Sequence, residues 1–261
     1  HKFFEVKPPL IPHEQNYTGL YRRTVTVPAD WKGRDIFIHI GSATSNVTLW
    51  VNGREAGYNE DSKNPAQYRI DPLLRPGENT LALKMTRWST GSYLEAQDFW
   101  RISGIERDIY MYAQPQIHLT DFKAETPLDG DYRNGILKLK VKFANETGKE
   151  TPFLVSYRLL DSKDKLIAQS STRVSYGQTE VEFTPKTIKE PLQWTAETPN
   201  LYTLVISLKH TNGDVIEATG CKVGFRTVEI KDKQLMVNGR PILVKGVNYH
   251  EHNEHTGHYV P

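Results

Sequence analysis

Short runs of β-branched and aromatic residues recur along this chain with turn signals between them, and this pattern constrains the fold more than any other feature. Over residues 1–115 the runs are "YRRTVTVP" (21–28), "DIFIHIG" (35–41), "NVTLWVNG" (46–53), "TLALKMTRW" (80–88) and "RDIYMYA" (107–113). Evenly spaced short strands are typical of an all-β sandwich or jelly roll. Asn52-Gly53 predicts a hairpin, since this pair adopts the positive φ angles of a tight turn.

A second set of strands is predicted over residues 116–227. The runs are "GILKLKVKFAN" (135–145), "FLVSYRLLD" (153–161), "TEVEFTP" (179–185), "LYTLVISLKHTNGDVIEAT" (201–219) and "CKVGFRTVEI" (221–230). About 110 residues with six or seven strands indicate an immunoglobulin-like β-sandwich. Between two of these runs, "LQWTAETPNLY" (192–202) predicts an ordered loop in which Trp194 fills a core or an interface.

Residues 228–261 differ from the preceding sandwiches. A second Asn-Gly pair, Asn238-Gly239, predicts another hairpin, and "PILVKGVN" (241–248) predicts a strand that is apolar on both faces, as in a parallel sheet. Histidines and glutamates follow it directly, where a parallel barrel strand places its active-site residues. A whole (β/α)8 barrel needs about 250 residues. We therefore expect this chain to end in the first strand of a truncated TIM barrel.

Composition excludes several classes of function. The net charge is only +2, with both signs intermixed along the chain, so we expect no nucleic-acid partner. No apolar run approaches the roughly 18 residues of a membrane helix, so we expect a soluble protein without a membrane partner, cytoplasmic or periplasmic. The single cysteine, Cys221, is predicted to be a small buried residue rather than a reactive thiol.

Several long motifs resemble glycoside hydrolase family 2, in its β-galactosidase branch. "TGLYRRTVTVP", "VTLWVNGREAGYNEDSKNPAQYRI" and "RWSTGSYLEAQDFWRISGIERDIYMY" resemble the sugar-binding domain of that family. "WTAETPNLYTL" and "VGFRTVEI" resemble its immunoglobulin-like domain, and "VNGRPILVKGVNYHEHNEH" resembles the start of its catalytic barrel. The resemblance implies three domains, over residues 1–115, 116–227 and 228–261.

The resemblance also implies an activity, the retaining hydrolysis of terminal β-D-galactosides. Such an enzyme needs two carboxylates about 5–5.5 Å apart, and the family carries both on later barrel strands. Neither matching motif occurs in this chain, so we expect it to be inactive alone and to be the N-terminal portion of the enzyme. For the full-length parent the resemblance implies a homo-oligomer, a β-galactoside substrate, and Na⁺ and Mg²⁺ as cofactors.

Two residues match functional positions of the family. His250 matches a histidine that contacts the galactosyl group and stabilises the transition state, and Asp98 matches an aspartate that binds the same sugar and a sodium ion. The structural alternative for His250 is a histidine hydrogen-bonded at a strand end, and we expect only loop or surface roles for His252, His255 and His258.

The segment "RWSTGSYLEAQDFWRISG" (87–104) mixes aromatic and polar residues as pyranose sites do. Its structural alternative is that the aromatics belong to the core and the acids pair with Arg87, Arg101 and Arg107. Glu95 and Asp98 could resemble a catalytic pair, but the family gives them no such role.

Three other functions stay open at this point. The chain could be a carbohydrate-binding module without catalysis, or belong to a β-glucuronidase or β-mannosidase. A third alternative is an amidohydrolase, because "HEH" (250–252) places two histidines where such enzymes begin a metal site. The two long β domains upstream argue against this third alternative.

Overall fold

The computed structural model describes residues 7–95, 100–257 and 260. The chain divides into two compact units, unit 1 with residues His1–Gln114 and Val247–Pro261, and unit 2 with residues Pro115–Gly246. The strands of unit 1 are β1 (Thr18–Thr26), β2 (Asp35–Ile40), β3 (Ala43–Thr44), β4 (Val47–Val51), β5 (Arg54–Asn59), β6 (Ala66–Arg69), β7 (Glu78–Thr86), β8 (Gly104–Ile105) and β9 (Ile109–Gln114). Its helices are short: two 3-10 turns, Ala29–Trp31 and Asp71–Leu73, and α1 (Ser92–Glu95).

Unit 1 is built from antiparallel sheets around one hydrophobic core. Its strands form a four-stranded sheet in the order β1-β7-β4-β5, a three-stranded sheet in the order β6-β2-β9, and the pair β3-β8. Every second residue of β4 is buried, and Ile38 of β2 and Leu49 of β4 are at most 1% exposed. The alternation that predicted these strands therefore marks the face that each turns toward the core.

The predicted Asn52-Gly53 hairpin is confirmed. Both residues have positive φ, 51° and 81°, and join β4 to β5. The Asn52 side chain adds long-range support, since its oxygen accepts from the Thr80 amide at 3.0 Å and its nitrogen donates to the Leu73 carbonyl at 3.0 Å. The turn is thus held by its own conformation and by contacts with distant residues.

Unit 2 contains a sandwich of three strands against four. Its strands are β10 (Ile117–Glu125), β11 (Gly135–Asn145), β12 (Phe153–Leu160), β13 (Leu166–Val174), β14 (Glu180–Ile188), β15 (Tyr202–His210) and β16 (Val215–Val223). They form two sheets, β10-β11-β14 and β13-β12-β15-β16. T-shaped aromatic pairs from both sheets fill the interior, among them Tyr157–Phe183 with centroids 5.0 Å apart. The all-β fold class predicted from sequence is confirmed.

Trp194 packs beside the last strands of this sandwich. Its backbone amide donates to the Phe225 carbonyl at 3.0 Å, and the Arg226 guanidinium lies 4.2 Å from the centre of its ring. A Cβ on Gly224 would approach the Trp194 side chain to 2.9 Å. The tryptophan is half-buried and joins the loop before β15 to the chain after β16.

A small three-stranded sheet follows, formed by β17 (Val228–Lys231), β18 (Gln234–Val237) and β19 (Arg240–Pro241). Asn238-Gly239 forms the predicted turn between β18 and β19, with φ of 51° and 73°. The strand predicted over 241–248 is wrong in its extent, because the described strand ends at Pro241 and residues 242–248 are exposed and outside any sheet. A strand requires a hydrogen-bonded neighbour, and apolar character alone does not supply one.

Within the residues that the structure describes, no helix has the length and apolar character needed to cross a membrane.

Candidate functional site

A cavity of about 150 Å³ lies in unit 1 beside the segment 87–107. Its lining combines carboxylates and aromatic rings, the mixture predicted for sugar recognition, with cations, which the structural alternative assigned to pairing with the acids. They are Glu95, Glu106, Glu251, Lys63, Arg87, Arg101, Arg107, Trp88 and Trp100. Glu251 comes from the histidine-rich end of the chain, so the cavity joins the two segments that the sequence singled out.

Trp88 forms a fixed wall of this cavity. Trp88 is buried. The Asn16 side chain makes two hydrogen bonds to the Trp88 backbone: the Trp88 amide donates to Asn16 Oδ1 at 2.8 Å, and Asn16 Nδ2 donates to the Trp88 carbonyl at 3.0 Å. The guanidinium groups of Arg87 and Arg101 lie 5.2 and 5.9 Å from the ring centre, within cation–π range. The Trp88 ring thus lies close to two cationic side chains, Arg87 and Arg101.

Glu106 is a buried carboxylate with partners for both oxygens. Thr44 Oγ1 donates to Oε1 and Lys63 Nζ donates to Oε2, each at 2.8 Å, and the Glu106 side chain is only 8% exposed. Because Thr44 lies in β3 and Glu106 directly follows β8, the contact reinforces the short β3-β8 pair. Arg107 adds a hydrogen bond to the Lys63 carbonyl at 2.9 Å.

Glu95 holds the short helix α1 in place. Its carboxylate accepts from both the backbone amide, at 3.2 Å, and the hydroxyl of Ser62, which is buried. Ser42 Oγ in turn donates to the Ser62 carbonyl at 2.9 Å. The carboxylate therefore fastens the end of α1 to the segment that follows β5.

Glu60 is a second carboxylate that accepts hydrogen bonds from hydroxyl groups. Its carboxylate accepts hydrogen bonds from the hydroxyls of Thr90 and Tyr58. These bonds lower the pKa of Glu60 below its ordinary value, and the bond from Thr90 has the larger effect. Burial, together with the hydrogen bond to Glu60, raises the pKa of Tyr58 to about 12. The carboxylate is thus charged, and the phenol neutral, across the physiological range.

The segment 249–252 approaches the cavity through aromatic contacts. The His252 ring lies 5.5 Å from that of Trp100 and 5.6 Å from that of Tyr249, and its Nδ1 is 3.0 Å from the His250 carbonyl oxygen. Glu251 lines the cavity, whereas His250 is exposed. Farther along, the exposed side chains of His255 and Glu254 lie 3.5 Å apart.

The structure brings some predicted residues together and leaves others undecided. Asp98, Phe99 and His258 fall outside the described residues, so the proposed sugar and sodium contacts of Asp98 stay predictions. Trp88 follows the structural alternative, since it is buried, but Trp100 is 53% exposed. Across the described residues no group of three or more His, Cys, Asp or Glu side chains could hold a metal ion.

Several residues of the site carried no sequence signal. Asn16 is 72 positions from Trp88, and Glu106 is 43 and 62 positions from its two partners. No motif or spacing connects residues so far apart in one sequence. Glu106 does lie within the motif "RWSTGSYLEAQDFWRISGIERDIYMY", but that motif does not identify its partners.

The arrangement is suited to binding a polyhydroxylated ring. An aromatic wall packs against the apolar C–H face of a pyranose, and flanking carboxylates and guanidinium groups accept from or donate to its hydroxyls. Glu95 and Glu106 are already bound to Ser62, Thr44 and Lys63, so they act as supports of the cavity. The class defined by this fold is a β-sandwich protein, and its cavity is a candidate carbohydrate site.

Comparison with protein-family models identifies the family within this class of β-sandwich proteins. Residues 3–115 match the family model described as "Glycosyl hydrolases family 2, sugar binding domain", and residues 117–226 match "Glycosyl hydrolases family 2". Residues 228–261 match "Glycosyl hydrolases family 2, TIM barrel domain". The chain belongs to glycosyl hydrolase family 2. The predicted resemblance is confirmed, and the amidohydrolase alternative finds no support.

Individual relatives agree with this family. The chain is 42% identical over 250 residues to a beta-galactosidase of Priestia megaterium, covering 95% of this chain and 24% of that protein. It is 41% identical to a beta-galactosidase of Photobacterium profundum, covering 98% of this chain and 25% of that protein. The chain therefore spans about a quarter of the length of these relatives.

Solved structures share the fold at lower identity. A beta-glucuronidase of Bacteroides uniformis superposes with a TM-score of 0.81 at 21% identity, over 94% of this chain and 31% of that one. A putative beta-galactosidase of Bacteroides fragilis gives a TM-score of 0.80 at 20% identity, over 93% of this chain and 38% of that one. At such identities the likeness concerns the fold alone.

Proposed function

We propose that this chain is the N-terminal portion of a retaining glycoside hydrolase that cleaves terminal β-D-galactosides. In this proposal residues 1–115 and 116–227 supply the sugar-binding and immunoglobulin-like domains, and residues 228–261 begin the catalytic barrel. The observation that carries it is the 42% identity to a beta-galactosidase, sustained over 95% of the chain. Glu251 lines the same cavity as Trp88, and this supports the proposal, because the two segments predicted to contact sugar then share one site.

The chemistry divides between this chain and the rest of the protein. Retaining hydrolysis uses a nucleophilic carboxylate and an acid/base carboxylate, and we place both on the barrel beyond residue 261. Within this chain, His250 would donate a hydrogen bond to a galactosyl hydroxyl, a contact that accelerates the reaction if it strengthens in the transition state. Asp98 would accept from a second hydroxyl.

Metal ions and assembly belong to the same proposal. Na⁺ is a hard cation that prefers oxygen ligands, and the Asp98 carboxylate would offer one of them next to the sugar. A Mg²⁺ ion and a homo-oligomeric state are proposed for the full-length protein by resemblance to the family.

The alternative is a carbohydrate-binding module that lacks catalysis. It draws on the match of residues 3–115 to a domain described as sugar binding, which needs no barrel. A β-glucuronidase or β-mannosidase remains a sibling alternative for the substrate.

Hydrolysis of aryl glycosides tests the proposal. We would compare the 261-residue chain with the protein expressed from the complete reading frame, using aryl β-galactoside, β-glucuronide and β-mannoside. We expect turnover of the galactoside by the longer protein only. Activity of the short chain would contradict the placement of the carboxylates, and preference for another glycoside would change the substrate. Sugar binding without turnover by either protein would favour the binding module.

A further inference from the structure

Asn-Gly pairs occur at four places in this chain, residues 52–53, 134–135, 212–213 and 238–239. Asparagine is a chemically labile residue. Before glycine it is most exposed to attack by the next backbone nitrogen, because glycine has no side chain to hinder that approach. The local sequence therefore gives the four pairs nearly the same intrinsic reactivity. Their surroundings in the structure differ.

Three of the four asparagine side chains are held by distant parts of the fold. In each, the side-chain oxygen accepts from a backbone amide, the side-chain nitrogen donates to an oxygen, and at least one partner lies 28 or more positions away. All three are half-buried. The partners are Thr80 and Leu73 for Asn52, Glu190 and Asp129 for Asn134, and Thr227 and Trp194 for Asn238.

Asn212 is held differently, at the tip of the hairpin that joins β15 to β16, where residues 211–215 are all exposed. Its Nδ2 donates to Asp214 Oδ2 at 2.8 Å, and its Oδ1 accepts from the Asp214 amide at 3.1 Å. The Gly213 amide donates to the His210 carbonyl at 2.9 Å. These contacts all lie within residues 210–214, and exposed loop tips open locally at low cost. The reacting groups can therefore be released while the strands stay paired.

We propose that Asn212 is a modification site, at which this chain undergoes spontaneous deamidation. The Gly213 nitrogen gives up its proton to water and forms a bond to Asn212 Cγ. The bond from Cγ to Nδ2 then breaks, and Nδ2 takes up a proton and leaves as ammonia. Water opens the resulting succinimide ring at either carbonyl, which leaves aspartate or isoaspartate at position 212. The sequence of steps consumes one water and releases one ammonia.

Asp214 acts on both sides of this reaction. Negative charge develops on Asn212 Oδ1 as the Gly213 nitrogen attacks, and the Asp214 amide already donates to that oxygen. A donor placed where charge develops stabilises the intermediate. In the product, the hydrogen bond from Nδ2 to the Asp214 carboxylate is replaced by two neighbouring carboxylates, which repel each other. Deamidation therefore loosens the tip of the β15-β16 hairpin.

Peptide mapping by mass spectrometry tests the proposal, because it measures all four asparagines in one sample. The full-length protein is incubated in its native state at mildly alkaline pH. We expect Asn212 to deamidate about 30-fold faster than each of the other three, the factor that corresponds to two net hydrogen bonds opened before reaction. The same protein in guanidinium chloride is the control, and there the four rates should converge.

A matched variant tests the cause of the selectivity. Asp129→Ala removes the acceptor of Asn134 Nδ2, and we expect Asn134 to react about fivefold faster, the value of one hydrogen bond. Asn212 should keep its rate. Asn52 and Asn238 are internal controls, since unfolding of the variant would raise their rates as well.

Three results would overturn the proposal. The first is a native rate at Asn212 no higher than at the other three sites. The second is the same excess at Asn212 in guanidinium chloride, because the sequence and not the fold would then select it. The third is an unchanged rate at Asn134 in the folded Asp129→Ala variant. The proposal does not rest on the proposed function, since deamidation is scored by mass and not by turnover of a glycoside.

Discussion

Glu106 shows how a single residue supports the cavity. Its carboxylate is nearly fully buried and bound by Thr44 and Lys63, so Glu106→Ala removes two hydrogen bonds, one of them to a cation. We expect a loss of about 2 kcal/mol in the free energy of unfolding, measured as a lower urea midpoint. Glu55→Ala, at an exposed glutamate of the same unit, is the control and should stay within about 0.5 kcal/mol. Equal effects would contradict the supporting role of Glu106.

Glu60 makes stability depend on pH in a defined direction. Its folded-state pKa is lowered by the hydroxyls of Thr90 and Tyr58. Its contribution to the free energy of unfolding is therefore complete above the unfolded pKa of about 4.3. That contribution disappears as the pH falls through the lowered folded-state pKa. Thr90→Val removes the principal donor, and we expect its stability deficit to be largest near neutral pH and to shrink below about pH 4. Thr90→Ser, which keeps the hydroxyl, should follow the wild-type curve in urea melts across this range.

At the scale of elements, the β4-β5 hairpin depends on the left-handed conformation of Gly53. Its φ is +81° and a Cβ there would meet no atom within 4 Å, so any substitution cost arises from the backbone alone. We expect Gly53→Val to lower the free energy of unfolding by about 1.5 kcal/mol. Gly53→Asn should cost clearly less, because asparagine visits this region readily. Chemical denaturation of both variants checks the difference, and equal losses would refute the explanation.

Strands in which buried and more exposed residues alternate regularly were predictable from the sequence. β4 and β11 alternate buried with more exposed residues, and the sequence pattern located both. β10 and β13 were missed, because they are outer strands of their sheets with mainly polar or charged exposed positions. The predicted strand over 241–248 failed for a different reason: its apolar pattern is clear, but within that range only Pro241 belongs to a strand of the structure.

The candidate site was only partly predictable, for a related physical reason. The segment 87–104 and the histidine-rich end were recognisable as local mixtures of residue types, and the cavity does bring them together. The supports of that cavity were not recognisable, because Asn16, Lys63 and Glu106 act through contacts 43 to 72 positions away. Such pairs are created by the register of the sheets and have no local pattern.

At the scale of the whole molecule, the role proposed for His250 can be measured only in the full-length protein. His250→Ala in the full-length protein should lower kcat/KM for an aryl β-galactoside by about 30- to 100-fold, the value of one hydrogen bond gained in the transition state. Most of the loss should fall on kcat, since a contact that strengthens in the transition state contributes little to ground-state binding.

His255→Ala is the matched control for that measurement, because this histidine is exposed and pairs with the neighbouring Glu254. It should leave both kinetic constants near their wild-type values. A rise in KM alone for His250→Ala would make the residue a ground-state contact. Unchanged kinetics together with a lower unfolding midpoint would make it a structural histidine. The three outcomes differ in kcat, KM and stability, so one pair of variants separates the catalytic role from the structural one.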